Sequence, residues 1–187
     1  ICIAAMRALG AQREPTATAA LLQMLESGQR DELVWVLIGA LSNTGDPLVV
    51  QPLVAFMEQY DYENAFYVNI DPAVKALGKL GDPRAIPAIL QAMESPRNVR
   101  EEAVPALVAM GDAAYDPAVK LIADPRPWMR EAGVTILARL GKREAAPLLE
   151  AALSDPDPEV RAAIVDALDT LHSANAAVLV PPLLSDS

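Results

Sequence analysis

Three arginines, Arg100, Arg130 and Arg161, recur at steps of 30 and 31 residues and are the first residues in this chain that suggest chemistry. Guanidinium groups suit carboxylates and phosphates, so a column of arginines suggests an anion site. An arginine near a helix N-terminus opposes the favourable sign of charge there, so each of these side chains needs a specific partner.

Groups for covalent, acid–base or metal chemistry are sparse. His172 is the single histidine and Cys2 the single cysteine, which leaves no basis for a catalytic triad, a zinc site or an internal disulfide. Glu101 and Glu102 are adjacent on a predicted helix and therefore point in different directions. We predict no catalytic residue, no metal and no cofactor, and a non-enzymatic function is favoured.

The charge balance narrows the class of partner. The 187 residues contain 25 acids and 15 Lys or Arg, a formal charge of −10. Nucleic-acid binding depends on Lys and Arg, so DNA and RNA are disfavoured. The longest apolar run, residues 33–41, is far shorter than a membrane span requires. We expect a cytoplasmic protein that binds another protein.

Positioning of these residues depends on an internal repeat. Glycines follow leucine-rich stretches at a step of 30 to 36 residues, at Gly10, Gly45, Gly81, Gly111 and Gly141, and His172 takes the next place. Apolar residues recur eight, seven, four and one positions before each of these, with a period near 3.6 that is typical of an amphipathic helix. Ile3, Ile38 and Val74 open the column at minus seven. The helix before each glycine is the second of its pair, and a shorter apolar segment after each glycine predicts the first helix of the next pair.

Helix pairs of about 30 residues that cannot each bury an apolar face are expected to stack. We predict an all-α, right-handed α-solenoid of antiparallel helix pairs. It forms a single domain over residues 1–187, with about five to six repeats. Neither end carries a polar cap, so we expect a chain truncated at both ends.

The runs VREEAVPALVAMGD (99–112) and DPDPEVRAAIVDAL (155–168) resemble short HEAT repeats of the phycobilin-lyase-like, or E-Z, type. The resemblance implies that Arg100, Arg130 and Arg161 form a structural ladder with acids in the turns between helices, here Asp124 and Asp155. It also implies an alternative function, as a bilin lyase subunit or a chromophore-handling chaperone of phycobiliproteins.

The exposed columns of the longer helices predict a partner-binding surface. They carry five acids and one base, and we expect them to line the concave face. About six extra residues between Gly45 and Gly81 coincide with a cluster of aromatic residues and predict a recognition loop, whose alternative is packing on adjacent repeats. The predicted partner-binding residues are Trp35, Tyr60, Tyr62, Phe66, Tyr67, Asp71, Glu101, Glu131 and Asp166.

Two functions follow. The favoured one is a protein–protein interaction scaffold whose acidic face and aromatic loop hold a partner, which can present a basic segment. The alternative is the bilin lyase subunit or chaperone implied by the resemblance.

Overall fold

A computed structural model describes residues 2–27, 31–58, 70–94 and 99–171, and within these ranges every regular element is helical. The all-α class predicted from the repeat is therefore confirmed. The chain divides into two compact units, Ile1–Met110 and Gly111–Ser187.

The first unit contains seven α-helices within its described residues. They are α1 (Cys2–Gln12), α2 (Pro15–Glu26), α3 (Asp31–Thr44), α4 (Val50–Glu58), α5 (Asp71–Leu80), α6 (Ile86–Ala92) and α7 (Arg100–Ala109). The odd-numbered helices pack in succession, α1 on α3, α3 on α5 and α5 on α7. Helices α2, α4 and α6 each pack against the helix that follows.

The core of this unit is made by the predicted apolar columns. Ile38 and Leu41 in α3, and Val74 and Leu77 in α5, are at most 1% exposed. Residues at this spacing lie on one side of a helix, so each odd-numbered helix buries one stripe. The periodicity thus predicts which face of each helix packs inward.

The first glycine of the column does not occupy a turn. Gly10 lies inside α1, and a Cβ there would come within 2.5 Å of the Ala40 carbonyl oxygen. The chain instead leaves α1 at Arg13, whose φ is +51°. The register is shifted by three residues, so Met6 is buried and Ile3, expected to be buried, is 42% exposed.

Four of the shorter helices begin late. A 3-10 turn precedes the α-helix at Pro47–Val49, Pro83–Ala85, Gly111–Ala114 and Arg143–Ala145. Asp46 and Asp82 cap two of these turns by accepting backbone N–H bonds of 2.9 Å from Leu48 and Arg84. Prolines close behind these turns, such as Pro87 and Pro147, have no N–H to donate to a helical hydrogen bond, which fits the late start of the α-helices.

The second unit repeats the pattern with four described α-helices. They are α8 (Tyr115–Leu121), α9 (Pro127–Leu140), α10 (Ala146–Ala151) and α11 (Pro158–Thr170). Helix α8 packs on α9, α10 packs on α11, and α9 packs on α11. Gly141 ends α9 with φ +68°, the left-handed conformation that favours glycine.

Candidate functional site

The Arg130 side chain in α9 connects two turns of the second unit. Its Nε and Nη2 each donate a 2.7 Å hydrogen bond to the carboxylate of Asp155, in the turn before α11. Its Nη1 donates to the backbone carbonyls of Asp124 and Pro125, at 3.0 and 3.1 Å, in the turn before α9. The Arg130 and Asp155 side chains are only 12% and 9% exposed.

Arg161 makes the same backbone contacts one repeat later. Its Nη1 donates to the carbonyls of Asp155 and Pro156, at 2.9 and 3.2 Å. The Asp155 carboxylate also accepts a 2.9 Å bond from the Asp157 backbone N–H. Asp155 is therefore bonded through its side chain to one arginine and through its backbone to the next.

These contacts change the proton affinity of the aspartates. The hydrogen bonds from Arg130 lower the pKa of Asp155 and outweigh the opposing effect of burial. The pKa of Asp124 is lowered mainly by the Arg126 guanidinium, whose Nε lies 2.8 Å from Oδ1. The carboxylates are thus held charged, in the form that accepts hydrogen bonds.

Whether an arginine of this column can bind an external anion depends on how many of its N–H donors are already bonded within the chain. Arg130 directs Nε, Nη1 and Nη2 at atoms of its own chain, so the arrangement favours a structural role for it. Arg100 is the first residue of α7 and is half-buried. We keep the name ladder for Arg100, Arg130, Arg161, Asp124 and Asp155.

The predicted partner-binding residues that the structure describes lie in both units. In the first unit Glu101 is exposed, while Trp35 and Asp71 are half-buried. In the second unit Glu131 and Asp166 are exposed on α9 and α11, which pack together. The aromatic cluster lies outside the described residues, namely Tyr60, Tyr62, Phe66 and Tyr67.

Charges on the first unit are partly compensated within it. The Lys75 Nζ lies 2.7 Å from a carboxylate oxygen of Glu102, which raises the pKa of Lys75. Lys79 donates to the side-chain oxygen of Asn43. These pairs link α5 to α7 and to α3.

An exposed tryptophan was not anticipated. Trp128, in the first turn of α9, is 41% exposed, although large aromatic side chains are usually well covered. Trp128 lies thirteen residues before the turn glycine, outside the helix columns that predict the partner-binding surface. The signal was present, because Glu159 occupies the matching position of the next repeat.

Two properties of the described residues bear on chemistry. Within the described ranges, no group of three or more His, Cys, Asp or Glu side chains is arranged to hold a metal ion. Nor does any helix there combine the length and apolar character needed to cross a bilayer.

Comparison with models of known protein families shows the family of this chain. The family model for HEAT repeats matches residues 71–132 and 115–187, which together make up more than half of the sequence. The chain therefore belongs to the HEAT-repeat family. The model of the PBS lyase HEAT-like repeat matches residues 1–27, so the phycobilin-lyase-like resemblance is confirmed.

Two individual proteins are similar to this chain. Bilin biosynthesis protein PecE from Nostoc sp. (strain PCC 7120) is 33% identical over 101 residues, a match that covers 52% of this chain and 40% of PecE. The chain thus spans well under two thirds of that relative. A chain in the structure of the CpcE–CpcF complex of phycocyanin lyase, from Nostoc sp. PCC7120, aligns with a TM-score of 0.55 at 24% identity. That alignment covers 89% of this chain and 67% of the other, and the likeness is one of fold.

Proposed function

We propose that this chain is a protein-binding HEAT-repeat unit of a phycobilin-lyase-like protein and takes part in the handling of bilins. The observation that carries the proposal is the 33% identity to PecE over 101 residues. The match of the PBS lyase HEAT-like repeat at residues 1–27 supports it independently.

Within such a protein the described residues are suited to binding a partner. Glu101, Glu131 and Asp166 present carboxylates to solvent, and the indole of Trp35 is half-buried. A partner with a basic segment complements these charges. The similar CpcE–CpcF structure is itself a complex of two proteins, which is consistent with a protein partner.

The bilin part of the proposal is tested by mixing the purified chain with a free linear tetrapyrrole and recording the visible spectrum. Binding to an ordered protein surface is expected to shift and sharpen the long-wavelength band, with saturation at a fixed ratio. The control is the same protein unfolded in denaturant. A spectrum equal to that of the free bilin contradicts the lyase-related role.

The partner surface is tested by capture from an extract of the source organism, followed by mass spectrometry. The wild-type chain is compared with a Trp35→Ala, Tyr62→Ala double variant, and Leu48→Ala is the matched control because Leu48 is an exposed apolar residue of the same unit. A protein retained by wild type and control but lost by the double variant supports the surface. Equal capture by all three moves the surface elsewhere.

A second candidate function is a protein scaffold that handles no bilin. One observation favours it: the general HEAT-repeat model matches residues 71–187, whereas the PBS lyase model matches residues 1–27. This function predicts capture of a protein partner together with an unchanged bilin spectrum.

A further inference from the structure

One large aromatic side chain among the described residues of the second unit is exposed to solvent. Trp128 is 41% exposed at the start of α9. Indole side chains bury a large area when they bind, and tryptophan is the residue most enriched among energetic anchors of interfaces.

The surroundings of the indole define the charge of this face. Glu131 and Arg139 follow Trp128 at three and eleven residues, so all three lie on one side of α9, and both charged residues are exposed. Helix α11, which packs on α9, adds exposed carboxylates at Glu159 and Asp166.

With Asp169, the face carries four exposed carboxylates against one guanidinium, and we call Trp128, Glu131, Arg139, Glu159, Asp166 and Asp169 the Trp128 face. Among the described residues, none of these carboxylates has an ion-pair partner.

We propose that the Trp128 face binds a lysine- and arginine-rich segment of a protein partner. The indole is the anchor, since its ring attracts a cation and the apolar stem of a basic side chain. The surrounding carboxylates set the sign of the partner's charge and steer its approach. This inference rests on the proposed protein-binding function and specifies the chemistry of the partner.

The test uses the full chain with Trp35→Phe, which leaves Trp128 as the sole tryptophan because the sequence contains two. The probe is a synthetic peptide of about 18 residues that alternates Lys–Leu pairs, and the control peptide replaces each Lys with Glu. Occupation of the face removes the indole from water, so the Lys peptide is expected to shift its emission to the blue and to saturate. The Glu peptide is expected to leave the emission unchanged.

Variants separate an anchored interaction from general attraction to an acidic protein. Trp128→Ala is expected to weaken binding of the Lys peptide at least tenfold, measured by anisotropy of a labelled peptide. Leu48→Ala, which removes an exposed apolar side chain of the first unit, is expected to bind like the parent. A Glu131→Gln, Asp166→Asn variant is expected to bind more weakly and to lose part of the dependence on salt.

Equal binding by Trp128→Ala and its parent, equal binding of the Glu peptide, or an unmoved emission would each overturn the proposal. If Trp128→Ala does not fold, as judged by circular dichroism, the emission titration of the Trp35→Phe protein still shows whether the Lys peptide covers Trp128. A failed peptide titration with an intact bilin response overturns this inference alone. Binding that depends on Trp128 together with a flat bilin spectrum contradicts only the bilin-handling function.

Discussion

Arg130 and Asp155 form a two-pronged ion pair, with both donor–acceptor distances at 2.7 Å, across 25 residues of sequence. The same arginine holds the carbonyls of Asp124 and Pro125, so one guanidinium joins the turn of its own repeat to the turn of the next. Unfolding of either repeat breaks these bonds, and stability is thereby shared between neighbours.

The first prediction concerns this pair. Arg130→Ala is expected to lower the free energy of unfolding by about 2–3 kcal/mol, because it leaves a carboxylate and two carbonyls without their donor. Urea unfolding of both proteins measures the difference. Lys142→Ala is the matched control, since Lys142 pairs with an Asp112 that is 83% exposed, and it is expected to leave stability unchanged. Equal effects of the two substitutions would contradict a special role for Arg130.

The second prediction concerns pH. The folded-state pKa of Asp155 lies below its ordinary value of 3.8, so its contribution to stability is complete above that value and is lost as the pH falls through the lowered pKa. Asp155→Asn is expected to be less stable than wild type at pH 7 and to approach it as the pH falls from 3.8 through the lowered pKa. Urea midpoints from pH 2 to pH 7 provide the measurement. A difference that does not change over this range would argue against the linkage.

The third prediction contrasts two helical glycines. Gly10→Ala places a methyl group 2.5 Å from the Ala40 carbonyl oxygen, so α1 and α3 must move apart, at an expected cost of about 1–3 kcal/mol. Gly39→Ala meets no atom within 4 Å and is expected to stabilise by about 0.5–1 kcal/mol through helix propensity. Thermal unfolding measures the sign of each stability change. The same sign for both variants would contradict the tight contact between Gly10 and Ala40.

The fourth prediction concerns the end of α1. Arg13 has φ +51°, a conformation that is costly for any residue with a Cβ, so Arg13→Gly is expected to stabilise by about 0.5–1 kcal/mol. Arg7→Gly, at an exposed position inside the same helix, is expected to destabilise by about 1 kcal/mol. The pair is compared by denaturant midpoint, and a loss of stability with Arg13→Gly would refute the claim of strain.

Periodicity predicted the helices because burial of one helical stripe is a local property of the sequence. The column through Ile38, Val74 and Val134 is buried in the structure. The first repeat escaped this logic, since Leu9–Gly10 resembles a helix end in sequence. Tertiary packing keeps this residue inside α1, because only a residue without a Cβ fits against Ala40.

The candidate site was less predictable than the fold. The partners of Arg130 are set by the relative placement of two turns, which the column pattern alone does not determine. The exposure of Trp128 was not predicted, because the helix-face columns describe the middle of a helix and this residue lies in the first turn. The predicted aromatic segment remains a prediction, as it lies outside the described residues.

The contact between Gly78 of α5 and Ala106 of α7 has a mechanical consequence. A Cβ on Gly78 would lie 2.6 Å from both the Cα and the Cβ of Ala106, so α7 packs directly against the backbone of α5 at this residue. Flexible side chains separate the backbones of most packed helices, whereas here the small residues Gly78 and Ala106 bring the two helices into close contact. The contact therefore leaves no space for α5 and α7 to come closer together at this point.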